Sequence, residues 1–395
     1  MADEHGRRIL VTGISGALAG ALVQRLEADD RVDYVGGVDL DDPCVPLERA
    51  EFIRADLRNP LVARVIESTG VDTLVHLALV TTPAQGGGRA RMKELNVIGT
   101  MQLLAAAQKA PRLERVVVRS STALYGSHYR DPALFGEDST IDVSSRAGYA
   151  KDAGEVEGYA RGLARRRPDL TLTLLRLANT VGPTVETPLT RYFQLPVAPT
   201  VLGYDPRLQL LHEDDAVEVL QRATMEGHPG LYNVAGPGIV YLSQAIRLAG
   251  KVEAPLPRPL LPLVAGWLRS AGLVDFSPDQ LQFLLFGRVA DTTRLQRTFG
   301  FMPEHDTRTA LTDFLAERAV EPLIEPERVE ELEARLLGLA RRTLRTGGQP
   351  APGDREDRAA SRATARPPAP QEPVATPGGH DGIDGRPGDR EGDRP

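Results

Sequence analysis

A disulfide framework is excluded at the outset, because the chain has a single cysteine, Cys44. The same scarcity suits a reducing compartment. Lysine is nearly as rare: only Lys93, Lys109, Lys151 and Lys251 interrupt an otherwise all-arginine set of basic residues. No apolar run reaches the roughly 18 residues of a membrane-spanning helix, and the N-terminal MADEHGRRILVTG lacks the apolar stretch of a signal peptide. A cytoplasmic location is expected. Positive charge is not in excess either. A net charge of −7 and a pI near 5.6 give no general electrostatic reason to bind nucleic acid or an anionic membrane. Small anionic ligands remain open, and no metal ligands are expected.

What is present suffices for one large domain or two small ones, with 41% hydrophobic and 26% charged residues in 395. From Gly347 to Pro395 the chain is rich in Pro, Gly, Asp and Arg, and Val374 and Ile383 are its only aliphatic residues larger than Ala. Burial there cannot offset the entropy of ordering, so this tail is expected to be disordered. Just before it, Pro326 opens a pattern with Val329, Leu332, Leu336 and Leu339 on one stripe. That predicts a helix within 321–346, docked on the domain or forming the seam of a homodimer.

Residues 7 to 120 alternate short apolar runs with helical patterns, as strands and crossover helices of a parallel sheet do. RILVTG, DYVGGVDL, AEFIRADL, VDTLVHLAL and LERVVVRSS read as five strands. ALAGALVQRLEA and MKELNVIGTMQLLAAAQKA read as helices. Sheets of this kind bind ligands at the carboxyl ends of their strands, here after Val11, Val38, Ala55, Leu77 and Arg119. The first such end continues as TGISGALAG. Gly13 allows a tight turn, Gly16 lets backbone approach a pyrophosphate with Ser15 beside it, and Ala19 permits close packing of helix on strand. The helix N-terminus then offers free amides to phosphate. Asp39 closes the second strand, where a carboxylate accepts ribose hydroxyls and repels a 2′-phosphate. NAD is expected in preference to NADP.

Nine ordered blocks carry a family resemblance: TGISGALAG, RADL, VHLA, ELNVIGT, SSTALYG, LRLANTVGP, LLHEDDAVEVL, YNVAG and ADTTRLQRTFGFMP. Over residues 7 to 320 the chain resembles the extended short-chain dehydrogenase/reductases, and most of all their NAD-dependent epimerase/dehydratase branch, which includes the UDP-glucose 4-epimerases. The resemblance implies an α/β fold, a Rossmann-type doubly wound parallel sheet. A smaller C-terminal substrate region would be assembled from 180–205 and 236–290. It further implies that Asp56 and Leu57 contact adenine, that Leu77 and Ala78 line the cofactor, and that Asn96 supports the active-site helix beside it. Asn179 would meet the diphosphate of a nucleotide-linked sugar, and Arg191, Arg207 and Arg288 would offer further anion contacts.

The family's chemistry uses a Ser or Thr, a Tyr, and a Lys four residues after that Tyr. The phenolate takes a substrate hydroxyl proton as hydride leaves for the cofactor. Ser121, four residues before Tyr125, matches the Ser position, with Ser120 and Thr122 as alternatives. Lys151, followed four residues later by Glu155, matches the Lys that holds the nicotinamide ribose. That register places Ala147 where the Tyr belongs. Side chains two apart on a helix diverge by about 160°, so a helix that already includes Tyr149 turns it away from the edge carrying Lys151. Gly148 leaves open a helix beginning there, with Tyr149 swung inward as the base. Tyr125, His128 and Tyr129 are other donors. Two functions fit: an NAD-dependent epimerase or oxidoreductase with an atypical base, or an NAD-binding protein that controls a partner without catalysis. The apolar stretch PLPRPLLPLVAGWLRSAGLVDF reads as a buried cap over the ligand or as a docking surface for a membrane or lipid-like substrate. Arg269 and its prolines argue against a span.

Overall fold

The computed structural model describes residues 6–274 and 278–318. The helix expected within 321–346 and the tail from Gly347 to Pro395 lie outside the described residues. A seven-stranded parallel sheet organises the rest: β1 (Arg7–Thr12), β2 (Val32–Asp39), β3 (Glu51–Arg54), β4 (Thr73–His76), β5 (Arg115–Ser121), β6 (Thr171–Leu177) and β7 (Gly230–Val234). Their spatial order is β7-β6-β5-β4-β1-β2-β3, and every neighbouring pair is parallel. The order reverses beside β1, which opens a crevice above the carboxyl ends of β1 and β4. This is the expected Rossmann-type doubly wound sheet.

Both faces of the sheet are covered, which is why its strands read as continuous apolar runs rather than as alternation. On one face, α1 (Ala17–Glu27) packs with Ile9, Val11 and Val117. On the other, α2 (Val62–Thr69), α3 (Thr100–Lys109) and α4 (Gly148–Arg166) pack with Leu10, Val116 and Val118. The five expected strands form, although β3 is shorter than its apolar run suggests. The helix expected from residue 92 begins at Arg89 and passes through a π-turn, Glu94–Gly99, before α3. Helix α2 was not expected: eight residues ending at Gly70, with φ +58, are too short for a strong periodic signal.

His76 shows how the layers are pinned. It is fully buried between Thr12 Oγ1 and Thr100 Oγ1, each 2.7 Å away. The Thr100 hydroxyl donates to the Asn96 carbonyl, so it accepts from His76 Nε2–H, and Nδ1 accepts from Thr12. Burial holds this imidazole neutral, with its pKa lowered to about 4.

A second core gathers Val181, Tyr192, Phe193, Leu210, Ile246, Leu268, Phe283 and Phe314. Three short strand pairs frame it, joining 179–181 to 210–212, 197–201 to 252–256, and 207–208 to 240–241. Helix α5 (Glu213–Met225) returns to the main sheet, while α6 (Leu261–Ser270) and α7 (Pro278–Phe286) belong to this second core. The apolar stretch before residue 275 forms α6, with Leu261, Ala265 and Leu268 buried and Leu263 and Trp267 exposed. No helix among the described residues is long and apolar enough to cross a membrane.

Candidate active site

The turn after β1 is set by backbone. Gly13 has φ +85, and a Cβ there would stand 2.7 Å from the backbone N and Cα of Ala78. Only glycine meets both demands. Gly16 is the N-cap of α1 and provides no side-chain cap; the first helical bond runs from the Gly20 amide to the Gly16 carbonyl. The amides of Ala17, Leu18 and Ala19 are therefore left for an anion. At the end of β2, one oxygen of Asp39 accepts from the Ser15 amide (3.0 Å) and hydroxyl (2.6 Å), and the other accepts from the Leu40 amide (2.7 Å). The carboxylate is thus fixed beside the phosphate loop with about one acceptor site left.

These groups border a cleft of about 390 Å³ that also touches Asp56, Leu57, Leu77 and Ala78. Arg58 clamps Asp56 through Nε and a terminal nitrogen and holds its carboxyl below the usual range. Asn96 lies behind the cleft. Its amide bonds Val80 on both sides, at 2.8 and 2.9 Å, and reaches Asp152 of α4 at 3.2 Å. Asp152 in turn receives both terminal nitrogens of Arg89 at 2.6 Å, and Arg89 also bonds the Gly148 carbonyl. Asn96 and Arg89 brace the first turn of α4.

That turn contains the residues in question. Gly148 opens α4 with φ +56, and Ala147 is the exposed, extended N-cap outside the helix. Tyr149 is half-buried and lines a small cavity of about 80 Å³ with Ser121, Arg119, Asn179, Asp279 and Arg288. Lys151 lines neither this cavity nor the cleft, because two residues turn the helix by about 200°. It shares its stripe with Glu155, which pairs at 3.7 Å with Lys93. The register built on Lys151 and Glu155 expects Lys151 near Ser121, whereas Tyr149, and not Lys151, is in the lining of the cavity that Ser121 borders.

Glu157 was missed from the sequence. It is 2% exposed, accepts from the Ser120 hydroxyl at 2.6 Å, and forms a two-pronged pair with Arg176, also 2% exposed, at 2.8 Å. Strand alternation explains the division of labour, since Ser120 points to the α4 face and Ser121 to the cavity. Tyr125 is locked away, its hydroxyl bonded to Asn233 and Arg176 and its ring stacked on Phe135. His128 and Tyr129 are exposed.

The anticipated substrate residues separate. Asn179 and Arg288 line the small cavity. Arg288 is half-buried, donates to the carbonyls of Ala123 and Gly126, and has its pKa lowered by desolvation to about 10. Arg191 is paired with Glu186 and lines a larger cavity of about 570 Å³, which also touches Tyr149, Arg89, Arg269 and Val274. Arg207 lines none of these cavities and donates to the Ala133 carbonyl. Elsewhere, His212, His305 and Asp313 bring donor atoms within 4.8 Å of one another. The two rings stack at 4.0 Å, so their in-plane nitrogens run side by side instead of converging on an ion.

The pattern of the NAD dependent epimerase/dehydratase family matches residues 9–235, more than half of the chain. The chain belongs to this family. An uncharacterized protein of Mycobacterium tuberculosis is 43% identical over 86% of this chain and 91% of its own. The UDP-glucose 4-epimerase of Mycolicibacterium smegmatis is 28% identical over 75% of this chain and 94% of its own. Among solved structures, MoeE5 in complex with UDP-glucuronic acid and NAD shares the fold with a TM-score of 0.62 at 19% identity, covering 79% of this chain and 99% of MoeE5. NAD is the cofactor of this family member, and the Gly13 turn, the uncapped α1 amides and Asp39 suit it.

Proposed function

We propose that this family member is an NAD-dependent oxidoreductase, of the UDP-sugar 4-epimerase or dehydratase kind, that acts on a nucleotide-linked sugar with Ser121 and Tyr149 handling the substrate hydroxyl. The observation that carries this reading is the junction of two spaces. The cleft that suits NAD and the Ser121–Tyr149 cavity share Thr81, Arg119 and Thr187 as lining, so a sugar carbon in the small cavity adjoins the cofactor. Bound NAD supplies a two-electron acceptor. Ser121 orients the sugar hydroxyl, and the Tyr149 oxygen accepts its proton as the carbonyl forms. Asp279 Oδ2, buried in the same cavity without a hydrogen-bond partner, is placed to accept from another sugar hydroxyl. Leu177, Pro188 and Phe283 limit water there. Tyr149 also borders the 570 Å³ cavity, a volume suited to a nucleotide, where Arg191 offers a cation to the diphosphate.

The test is incubation of the NAD-loaded protein with UDP- and dTDP-linked hexoses, following the NADH absorbance and separating the sugar products. Epimerised or dehydrated sugar is expected. A second reading, an NAD-binding regulator without turnover, draws on Ala153, which leaves no amine one turn after Tyr149. NAD binding with no product from any nucleotide sugar would favour it.

A further inference from the structure

Tyr149 lacks a cation on its own helix. One turn on stands Ala153, wholly buried, and Lys151 projects elsewhere. The charged groups that face the Tyr149 ring come from other segments. Arg119 on β5, Asp279 on α7 and Arg288 just after α7 share its small cavity, and Arg89, Arg191 and Arg269 share its larger one. Most of these cations are engaged. Arg89 serves Asp152 and the Gly148 carbonyl, Arg191 serves Glu186, and Arg288 serves the carbonyls of Ala123 and Gly126. Arg269 has a partner of its own.

Arg119 differs. Its Nε is buried without a hydrogen-bond partner, and its guanidinium forms no ion pair among the described residues. A buried donor left in that state points to a group absent from the protein itself. Arg119 is also among the residues that border both the cofactor cleft and the Ser121–Tyr149 cavity. It precedes Ser121 by two residues on β5, so the pleat projects both side chains from one face.

We propose that Arg119 supplies from strand β5 the positive charge that the helix after Tyr149 lacks, donating to bound NAD on one side and stabilising the Tyr149 phenolate on the other. This rests on the oxidoreductase reading above. A guanidinium suits the position because its planar fork of donors can serve two acceptors at once, whereas an ammonium on the helix acts as a point charge.

The experiment compares wild type, Arg119→Met and Arg119→Lys, each first shown to melt as a folded protein. Calorimetry with NAD and the pH dependence of kcat on a turned-over nucleotide sugar are the readouts. Arg119→Met should weaken NAD binding by about tenfold or more, since charge-assisted hydrogen bonds are lost. It should also move the acidic limb of the pH profile to higher pH, because one cation fewer then favours the phenolate. Arg119→Lys should recover part of both. NAD affinity within about twofold of wild type and an unmoved profile in Arg119→Met would overturn the proposal. If the wild type turns over no nucleotide sugar, the functional reading falls, and calorimetry alone decides Arg119: a loss of affinity sustains its role toward NAD, and undiminished affinity ends it.

Discussion

The cofactor cleft and the small Ser121–Tyr149 cavity that adjoins it are built from different materials. The cleft is shaped by backbone and small residues: the Gly13 turn against Ala78, the open amides of α1, and one carboxylate fixed by Ser15. The cavity is shaped by long charged side chains from distant segments, namely Arg119, Asp279 and Arg288 around Tyr149 and Ser121. Backbone sites tolerate almost no substitution, because an added atom meets main chain that cannot move. Side-chain sites can be rebuilt, since a charge lost from one element is replaceable from another. The role proposed for Arg119, with Ala153 one turn after Tyr149, is an exchange of this kind.

The comparison can be broken most forcefully at the support beneath the cavity. Glu157→Ala leaves Arg176 buried without its partner and should cost about 3 to 5 kcal/mol of stability, measured by denaturant unfolding. A loss near zero would mean that the Ser120–Glu157–Arg176 cluster does not hold α4 to the sheet.

Acid should act next. His76 has a folded pKa depressed to about 4 from an ordinary 6.5, so its contribution is complete above about pH 6.5 and is lost as pH falls toward 4. The loss should be on the order of 3 kcal/mol, and a His76→Gln protein should show a flatter pH dependence over that window.

On the cofactor side, Gly13→Ala tests the backbone claim. Its Cβ would stand 2.7 Å from Ala78 at a φ that L-residues avoid, so stability should fall by about 1 to 3 kcal/mol and NAD binding should be lost. Normal NAD titration by this variant would remove the contrast between the two sides. Asp39→Ala is milder: NAD should weaken by about 1 to 3 kcal/mol while discrimination against NADP narrows. NADP bound as tightly as NAD by the wild type would refute the role given to Asp39.

The same contrast governs what the sequence reveals. The parallel sheet and the glycine turn after its first strand were legible because glycine spacing and apolar runs record backbone demands directly. Gly13, Gly16 and Asp39 fall where spacing alone puts them. The reactive helix was harder. In GEVE two glutamates stand two residues apart, and only burial separates Glu157, tied to Ser120, from Glu155, paired with Lys93 near the surface. A step of two residues on a helix reverses which side chain faces the cavity, so each glutamate implies its own register, Glu155 with Lys151 and Glu157 with Tyr149. Arg119 gave no signal, because an arginine at the end of VVVRSS looks the same whether its guanidinium meets solvent or a ligand. Arg207 was equally ambiguous, and its bond to the Ala133 carbonyl appears only in three dimensions.

Tyr149→Phe measured beside Lys151→Ala tests most directly whether Tyr149 is the group that takes the substrate's proton. With a nucleotide sugar that the wild type turns over, Tyr149→Phe should lower kcat by about 10² to 10⁴-fold, the usual contribution of general-base help, while Lys151→Ala stays within about twofold. Collapse of the Lys151→Ala protein with Tyr149→Phe unimpaired would contradict the account and restore the register that places Ala147 at the base position.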